Sequence, residues 1–302
     1  MISINSLELH VSYHCNLSCK HCMHMSPLEK LSFLSKEQLI NDLNQLKGVL
    51  IADEIRLLGG EPLLNKELPI IAMAVKESQI GRKTTLSTNG ILLYKWIDSK
   101  LWNLIDGCEV SIYESVKKKK DEIVEACLSI SRIYPVTFYV YYCDSFRQVG
   151  SFFKSPDLTT TRDVFETCLI AKKWQCYNLF EGRFYLCPQA IGFSRFNPSL
   201  NCEDNSISLY SKTLEMDLHA YINRQNPLPA CDYCYGCVGT ISPHKQITAK
   251  DYLLDFNIEY RKELIDESFM QEIILKKLSG FYSLKTIKRT MIVNNGTIKE
   301  RI

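Results

Sequence analysis

Strand-like and helical patterns alternate along the first half of the chain. Residues 7–11 alternate apolar and polar positions as a half-buried strand does, and Ser35 with Gln38 resembles a capping box that opens a helix through about residue 47. Further strands are predicted at residues 54–58, 84–87, 108–113 and 136–142, and further helices at 68–78, 92–104 and 121–133. About six βα units with right-handed crossovers predict an α/β fold with a parallel sheet.

The pattern changes in the second half. Residues 143–167 are rich in Gly, Ser, Pro, Asp and Thr, which predicts a linker or a substrate-facing loop. Residues 174–180 and 183–187 flank a Glu181-Gly182 turn and predict a β-hairpin, and residues 208–224 predict a helix. One more helix is expected near 258–278, before a basic, frayed end. We therefore predict a core at 1–145, a linker at 146–166, a small cysteine-rich module of hairpin plus helix at 167–245, and a helical tail at 246–302.

Composition describes an ordinary globule. Of the 302 residues 46% are hydrophobic and 23% charged, and the net charge of +2 gives no strong footprint for nucleic acid. No apolar stretch approaches the roughly 18–20 residues of a membrane span, and the first residues do not read as a signal peptide, so a cytoplasmic location is expected. Thirteen cysteines in such a chain indicate thiolate–metal chemistry rather than a disulfide scaffold.

Three of these cysteines form a compact motif. Cys15, Cys19 and Cys22 make a C-x3-C-x2-C run in the loop after the first predicted strand. In structural zinc sites four protein ligands fill the coordination shell, whereas a four-iron cluster held by three thiolates keeps one iron open. The missing fourth cysteine therefore favours an open iron–sulfur cluster.

With His21 in its aromatic position, this run resembles the C-x3-C-x-aromatic-C motif of the radical S-adenosylmethionine (SAM) superfamily. Two more motifs follow in the family's order: Gly59-Gly60-Glu61-Pro62 after one strand and Ser87-Thr88-Asn89-Gly90 after the next. The resemblance implies a partial (β/α)6 barrel, a [4Fe-4S] cluster whose open iron binds SAM, and reductive cleavage of SAM to a 5′-deoxyadenosyl radical. It also implies an electron donor such as flavodoxin or ferredoxin as a partner.

The resemblance also implies residues for cofactor binding. Glu61 is expected near the amino group of SAM, since a fixed carboxylate favours an ammonium. Ser87 and Asn89 suit the ribose and carboxylate of SAM, and Ser111 aligns with a polar position at the barrel mouth. The implied set is His21, Gly59, Gly60, Glu61, Pro62, Ser87, Asn89 and Ser111.

A second group of cysteines lies in the predicted module. Cys168, Gly182 and Cys187 are spaced as in the opening of the SPASM and twitch extensions of this superfamily, which hold auxiliary [4Fe-4S] clusters. Six cysteines favour a twitch module with one cluster, in a layout similar to superfamily dehydrogenases of inositol derivatives. That similarity implies the ligands Cys168, Cys187, Cys231 and Cys234. Cys176 in place of Cys168, Cys237 in place of Cys231, and a structural zinc knuckle remain alternatives.

The remaining thiols bear on the reaction. A fully ligated auxiliary cluster suits oxidation of a substrate radical, whereas a free thiol, Cys237 or Cys176, suits hydrogen return and epimerisation. We expect a small polar substrate, such as a sugar, aminocyclitol or nucleoside, because the first strand begins by about residue 7 and leaves no N-terminal peptide-recognition domain. A maturase that epimerises or crosslinks a ribosomally made peptide is the alternative. A non-catalytic metal-binding module is a weaker one, disfavoured by the near-neutral charge and the Gly-Gly-Glu-Pro motif.

Overall fold

The structure is a computed structural model that describes residues 1–276 and 287–301. Its strands are β1 (Ile2–Ser12), β2 (Leu50–Gly59), β3 (Thr84–Thr88), β4 (Gly107–Tyr113), β5 (Thr137–Cys143), β6 (Ser145–Arg147), β7 (Cys176–Phe180), β8 (Arg183–Tyr185), β9 (Ser206–Ser208), β10 (Ile241–Pro243), β11 (Ile287–Asn294) and β12 (Thr297–Arg301). Its α-helices are α1 (Lys36–Leu46), α2 (Leu68–Ser78), α3 (Lys120–Ile133), α4 (Leu158–Glu166), α5 (Pro188–Phe196), α6 (Leu214–Ile222), α7 (Ala249–Phe256) and α8 (Glu267–Lys276).

One ten-stranded sheet organises the chain, in the order β12-β11-β5-β4-β3-β2-β1-β7-β8-β9. Strands β1 to β5 are mutually parallel, and β7 adds a sixth parallel strand beside β1. The predicted α/β class with a large parallel sheet is confirmed. The position next to β5 is taken by the antiparallel strand β11, and no strand pairing among the described residues closes the sheet into a barrel.

The two faces of the sheet differ in chemistry. Apolar residues of its central strands, such as Leu7, Leu57 and Val110, belong to the core that also holds the apolar sides of α1, α2 and α3. Because strand side chains alternate between faces, the intervening residues lie on the opposite side. This second side, called the inner face below, carries Glu8 and Arg56 among other polar groups.

Two predicted segments differ locally from the structure. The helix predicted at residues 92–104 is wrong: two 3-10 turns, Leu93–Lys95 and Lys100–Asn103, cover it. The Ser99 hydroxyl accepts a bond from the Leu101 amide at 3.2 Å and so starts a new turn inside the predicted helix. The predicted irregular linker contains α4, because Asp157 caps it by accepting a bond from the Thr160 amide at 2.7 Å.

The C-terminal region contains more strand than expected. The helix predicted near 258–278 corresponds to the shorter α8, and residues 277–278 of that prediction lie outside the described residues. The expected frayed end is wrong where it is described, because β11 and β12 form a hairpin that pairs with β5. Its turn residues Asn295 and Gly296 have φ of 48° and 67°, as in the type I′ turns that close hairpins.

The second cysteine-rich region joins the same sheet. The predicted hairpin is present as β7 and β8, and β7 pairs with β1 in the register Ser6 to Cys176 and Leu9 to Leu179. A second apolar cluster, which includes Leu169, Val238 and Phe269, lies next to this hairpin. Over the described part of the chain, no helix has the length and apolar character needed to cross a bilayer.

Candidate functional site

The cysteine loop leaves the carboxyl end of β1 and is held there by the Gly-Gly-Glu-Pro segment. The Gly60 amide donates to the Ser12 carbonyl at 2.7 Å, and the Glu61 amide donates to the His14 carbonyl at 3.0 Å. A Cβ on Gly59 would lie 2.1 Å from the Ser12 oxygen, and one on Gly60 would lie 2.0 Å from the His14 oxygen. Glycine is therefore required at both positions because their backbone lies against the cysteine loop. A similarly close approach of this backbone to a ligand stays a prediction.

Glu61 connects the second motif to the third. Its buried carboxylate accepts bonds from the Leu63 amide at 3.0 Å, the Thr88 hydroxyl at 2.6 Å and the Asn89 amide at 2.9 Å. Burial raises the pKa of Glu61 to about 7, and these hydrogen bonds oppose the rise. Pro62 begins the short turn that follows. The Gly-Gly-Glu-Pro motif alone did not indicate this positioning role of Glu61, and the expected contact with the SAM amino group stays a prediction.

Asn89 connects the third motif to the cysteine loop. Its side-chain amide donates to the Asn16 side chain at 2.7 Å and lies 3.7 Å from the Cys15 sulfur. Its side-chain oxygen accepts a bond from the Ile91 amide at 3.1 Å, which fixes its orientation. The structure thus brings together all three motifs that the sequence separated by up to 75 positions.

The three thiols of the loop lie close enough to interact electrostatically, and two of them accept backbone hydrogen bonds. Cys15 accepts a bond from the Leu17 amide at 3.4 Å, and Cys22 accepts backbone bonds from the residues that follow it. Burial raises the pKa of Cys15 to about 12 and that of Cys19 further, and Cys22 contributes to both shifts electrostatically. Within the described ranges no three His, Cys, Asp or Glu side chains converge as a single ion requires. A cubane binds each thiolate to a different iron, so three adjacent soft thiolates fit it.

Residues 244–256 cover the other side of the cysteine loop. The Lys20 amide donates to the Lys245 carbonyl at 2.9 Å, and the buried Tyr252 hydroxyl donates to the Cys22 carbonyl at 2.5 Å. The His244 ring stacks on Tyr113, which itself packs against the loop. Sequence reasoning missed this cover because more than 200 residues separate the partners.

His21 has a strained backbone and lies beside this cover. Its φ of 60° is uncommon for a residue with a side chain. It lines a cleft with Lys20 and Asp255, whose charged groups pair at 2.9 Å. Burial, and then the charge of Lys20, lower the pKa of His21 to about 4, so this ring is neutral near neutral pH.

A polar network extends from the third motif across the inner face. The Ser87 hydroxyl donates to Glu109 at 3.2 Å, and Arg56 pairs with Glu109 at 3.5 Å and with Glu54 at 2.7 Å. The Nε of Arg56 and the hydroxyl of Ser6 are buried without a hydrogen-bond partner in the described part of the chain. Charged residues at every second position of buried strands were the sequence signal for this network, and the sequence analysis did not use it.

Cys176 lies on the inner face as well. It is the first residue of β7, and its thiol donates a hydrogen bond to the Glu8 carboxylate. Glu8 also interacts with Arg56, which joins Cys176 to the polar network. Ser111, two residues after Glu109 on β4, is half-buried and pairs in register with Tyr141.

Four of the later cysteines line one apolar cavity: Cys168, Cys187, Cys231 and Cys234. Each of them accepts at least one backbone N–H bond, such as that from Gly236 to the Cys234 sulfur at 3.1 Å. Four thiols around one space, with N–H donors already on the sulfurs, fit a four-iron cluster. Cys176 and Cys237 are absent from this lining.

Cys237 lies behind the cavity. It accepts a bond from the Leu169 amide at 3.3 Å and donates to the Thr167 carbonyl at 3.4 Å, within the second apolar cluster. Its side chain is therefore engaged by the protein and buried away from the inner-face network. Cys108, Cys127 and Cys143 are buried among apolar residues, as small hydrophobic side chains are.

The comparisons with known proteins agree with this geometry. Residues 9–108 match the model described as the radical SAM superfamily. This stretch contains all three motifs that meet around the cysteine loop, and the chain therefore carries a radical SAM domain, as the resemblance suggested. Such a domain uses a [4Fe-4S] cluster and SAM as cofactors.

Relatives and solved structures are also similar to parts of the chain. GTP 3′,8-cyclase of Synechocystis sp. is 33% identical over 132 residues, 42% of this chain and 39% of that protein; the enzyme of Aquifex aeolicus is 26% identical over 135 residues, 43% and 42%. The chain thus spans about two fifths of the length of these relatives. BtrN in complex with AdoMet and 2-DOIA has a TM-score of 0.48 at 16% identity, covering 76% of this chain and 92% of BtrN. SuiB of Streptococcus suis bound to precursor peptide SuiA has a TM-score of 0.34 at 20% identity, covering 43% and 31%.

Proposed function

We propose that the protein is a radical SAM epimerase of a small polar molecule, with Cys176 as the thiol that returns hydrogen to the substrate. The observation that carries this proposal is the position of Cys176 on the inner face, bonded to Glu8 and linked through Arg56 to the network that reaches Ser87. When bound, a reduced cluster and SAM supply a 5′-deoxyadenosyl radical that takes a hydrogen atom. Cys15, Cys19 and Cys22 would hold that cluster.

The strand register places Cys176 far from the cysteine loop. Cys176 pairs with Ser6, and β1 continues to Ser12 before the loop begins. Six residues of strand span roughly 20 Å. A substrate between the two would lose a hydrogen atom toward the loop and receive one from the Cys176 thiol on the opposite side, which is the requirement for inversion. The Cys176 thiyl radical left by this transfer would be returned to the thiol by one proton and by one electron from the external donor, passed through the auxiliary cluster. The Cys237 thiol instead donates to the Thr167 carbonyl and accepts from the Leu169 amide, and it is not part of the Glu8 and Arg56 network.

The inner face favours a substrate with hydroxyl or amino groups. Glu54, Glu109, Ser87 and Ser6 supply acceptors and hydroxyls, and the Nε of Arg56 is an unused donor. A triphosphate is disfavoured because the guanidinium of this network already pairs with two carboxylates. The proposal is therefore a sugar or aminocyclitol rather than the nucleotide in the names of the sequence relatives.

The second cysteine set would hold an auxiliary cluster. Cys168, Cys187, Cys231 and Cys234 line one cavity, and together they supply four thiolates, which closes the coordination of a cubane. Such a centre would supply one-electron transfer in a twitch-like module, with a flavodoxin or ferredoxin as the external electron donor. Anaerobic reconstitution should give about eight irons per chain.

A deuterium-exchange assay tests the hydrogen return. The reconstituted enzyme is incubated with SAM, a reductant and a panel of hexoses, aminosugars and aminocyclitols in deuterated water. A substrate of the wild type should give an inverted product that is heavier by one deuterium, because the Cys176 thiol exchanges with solvent. Cys176→Ala should still cleave SAM but form no inverted product, while Cys237→Ala should resemble the wild type. Normal inversion by Cys176→Ala would exclude the proposed role.

Oxidation of the same class of substrate is the second candidate. It is favoured by the cavity, since four cysteines leave no iron open for a substrate and suit electron removal from a radical. In this case the wild-type product is lighter by two hydrogens and contains no deuterium, and Cys176→Ala retains activity. The mass of the product therefore separates the two candidates in one experiment.

A further inference from the structure

One carboxamide faces the cavity of the four cysteines. Gln189 is 3% exposed and lines the cavity, and its side-chain oxygen has no hydrogen-bond partner within residues 1–276 and 287–301. The other lining side chains are the thiols and apolar groups such as Phe165, Leu186 and Phe193. Among the described residues, Gln189 is therefore the one polar side chain, apart from the cysteines, that lines this cavity.

The buried side-chain oxygen of Gln189, without a partner among the described residues, requires an explanation. Burying a polar group is unfavourable unless a hydrogen bond replaces the lost water, and most buried polar groups in folded proteins are bonded. An apolar residue of similar size would pack in this cavity without that cost. The carboxamide carries two donors and an acceptor and can turn either end toward the cavity. Gln189 thus points to a ligand in the cavity that has hydrogen-bonding atoms.

The backbone amide of Gln189 already donates a hydrogen bond to one thiol of the cavity. Cys187 precedes α5, and its sulfur accepts bonds from the amides of Gln189 and Ala190 in the first turn of that helix. The first turn of a helix also favours negative charge. Gln189 therefore combines a backbone donor to one cysteine with a side chain directed into the space that the four cysteines share.

We infer that the side-chain amide of Gln189 donates a hydrogen bond to the sulfur atoms of the auxiliary cluster and raises its reduction potential. This inference rests on the auxiliary cluster of the proposed function. Both the inorganic sulfides and the cysteine sulfurs accept hydrogen bonds, and such bonds are among the factors that set cluster potentials. Reduction adds negative charge to the cluster, so a donor stabilises the reduced form. Gln189 takes no part in the reaction itself; it acts through the cluster, by setting the potential at which the cluster transfers electrons.

The test compares Gln189→Met, which keeps the volume and removes the donors, with the wild type in an EPR-monitored redox titration of the holoprotein. The auxiliary signal is the one that SAM does not change. Gln189→Met should lower its midpoint potential, and Gln189→Glu, which adds a negative charge, should lower it more. Gln225→Met is the matched control, because Gln225 is exposed and bonds the Asn223 carbonyl. An unchanged potential in a Gln189 variant with full iron content would overturn the inference.

A second measurement separates this inference from the proposed function. The triple variant Cys15→Ala, Cys19→Ala, Cys22→Ala should retain only the auxiliary cluster, with about four irons per chain. If it binds no iron, the auxiliary cluster itself is refuted and the role of Gln189 with it. If it binds four irons and the Gln189 substitutions leave the potential unchanged, only the role of Gln189 is refuted. Should Gln189→Met fail to hold the cluster, Gln189→Leu, which removes the donors without adding a charge, decides.

Discussion

The buried Glu61 carboxylate predicts an unusual dependence of stability on pH. Replacing it with glutamine removes the ionisable group but keeps its size and one acceptor oxygen. In the folded protein burial raises the pKa of Glu61 to about 7, from an ordinary value of 4.5. The folded state therefore holds a proton on Glu61 through a pH range in which the unfolded chain has already lost it.

The sign and size of the effect follow from proton linkage. Because the folded pKa is the higher one, the stability contribution is complete below pH 4.5 and is lost as the pH rises through 7. A difference of this size corresponds to roughly 3 kcal/mol at about 1.4 kcal/mol per pH unit. Loss of one of the three hydrogen bonds in Glu61→Gln adds an offset of about 1–3 kcal/mol that does not depend on pH.

Urea unfolding of the metal-free protein, under anaerobic and reducing conditions between pH 4.5 and 8, measures both terms. The free energy of unfolding of the wild type should fall relative to that of Glu61→Gln as the pH rises. Other titrating groups are common to both proteins, so they cancel in the difference. Parallel curves for the two proteins across this range would refute the reasoning, because they would show that Glu61 has the same pKa in both states.

Two further substitutions test the contacts around the cysteine loop. Gly60→Ala places a Cβ 2.0 Å from the His14 oxygen and should reduce the iron content from about eight to about four per chain. Gly107→Ala is the control, because the nearest neighbour of its Cβ is 3.6 Å away, and it should keep the full iron content. Equal iron content in the two variants would contradict the packing argument. Tyr252→Phe removes the hydrogen bond to the Cys22 carbonyl and should lower the free energy of unfolding by roughly 1–2 kcal/mol. The loss should be seen as a lower thermal midpoint and as faster loss of the SAM-responsive EPR signal. A wild-type midpoint would show that this bond contributes nothing to stability.

Local sequence patterns predict well those elements that are determined by residues close to each other in the sequence. The N-cap of α1 is confirmed, since the Ser35 hydroxyl accepts a bond from the Gln38 amide at 3.0 Å. The strands of the first half and α2 follow from periodicity, which reports on which face of an element is buried. The three motifs also lie where their spacing implies, at the ends of adjacent parallel strands. The four cysteines implied by the family layout line one cavity.

The remaining features depend on contacts between distant segments. The C-terminal hairpin had a local signal, the Asn295-Gly296 turn, but its docking against β5 depends on a partner about 150 residues away. Glu61 was interpreted from its motif as a ligand for SAM, whereas its three bonds to this chain emerge only when β2 and β3 are placed side by side. No periodicity within one strand indicates which groups its neighbours present.

Helix α5 shows how the two candidate centres are held relative to each other. It begins after Cys187 at the cavity of the four cysteines, and five residues later Gly192 lies so close to Met25 that a Cβ there would be 2.7 Å from the methionine sulfur. Five residues of helix span roughly 7.5 Å. Arg195 at its end forms two hydrogen bonds with Glu29, at 2.9 and 3.0 Å, which tie the helix to the segment after the cysteine loop. A short, well-anchored helix therefore joins the two candidate centres, so the distance between them is set by the protein itself.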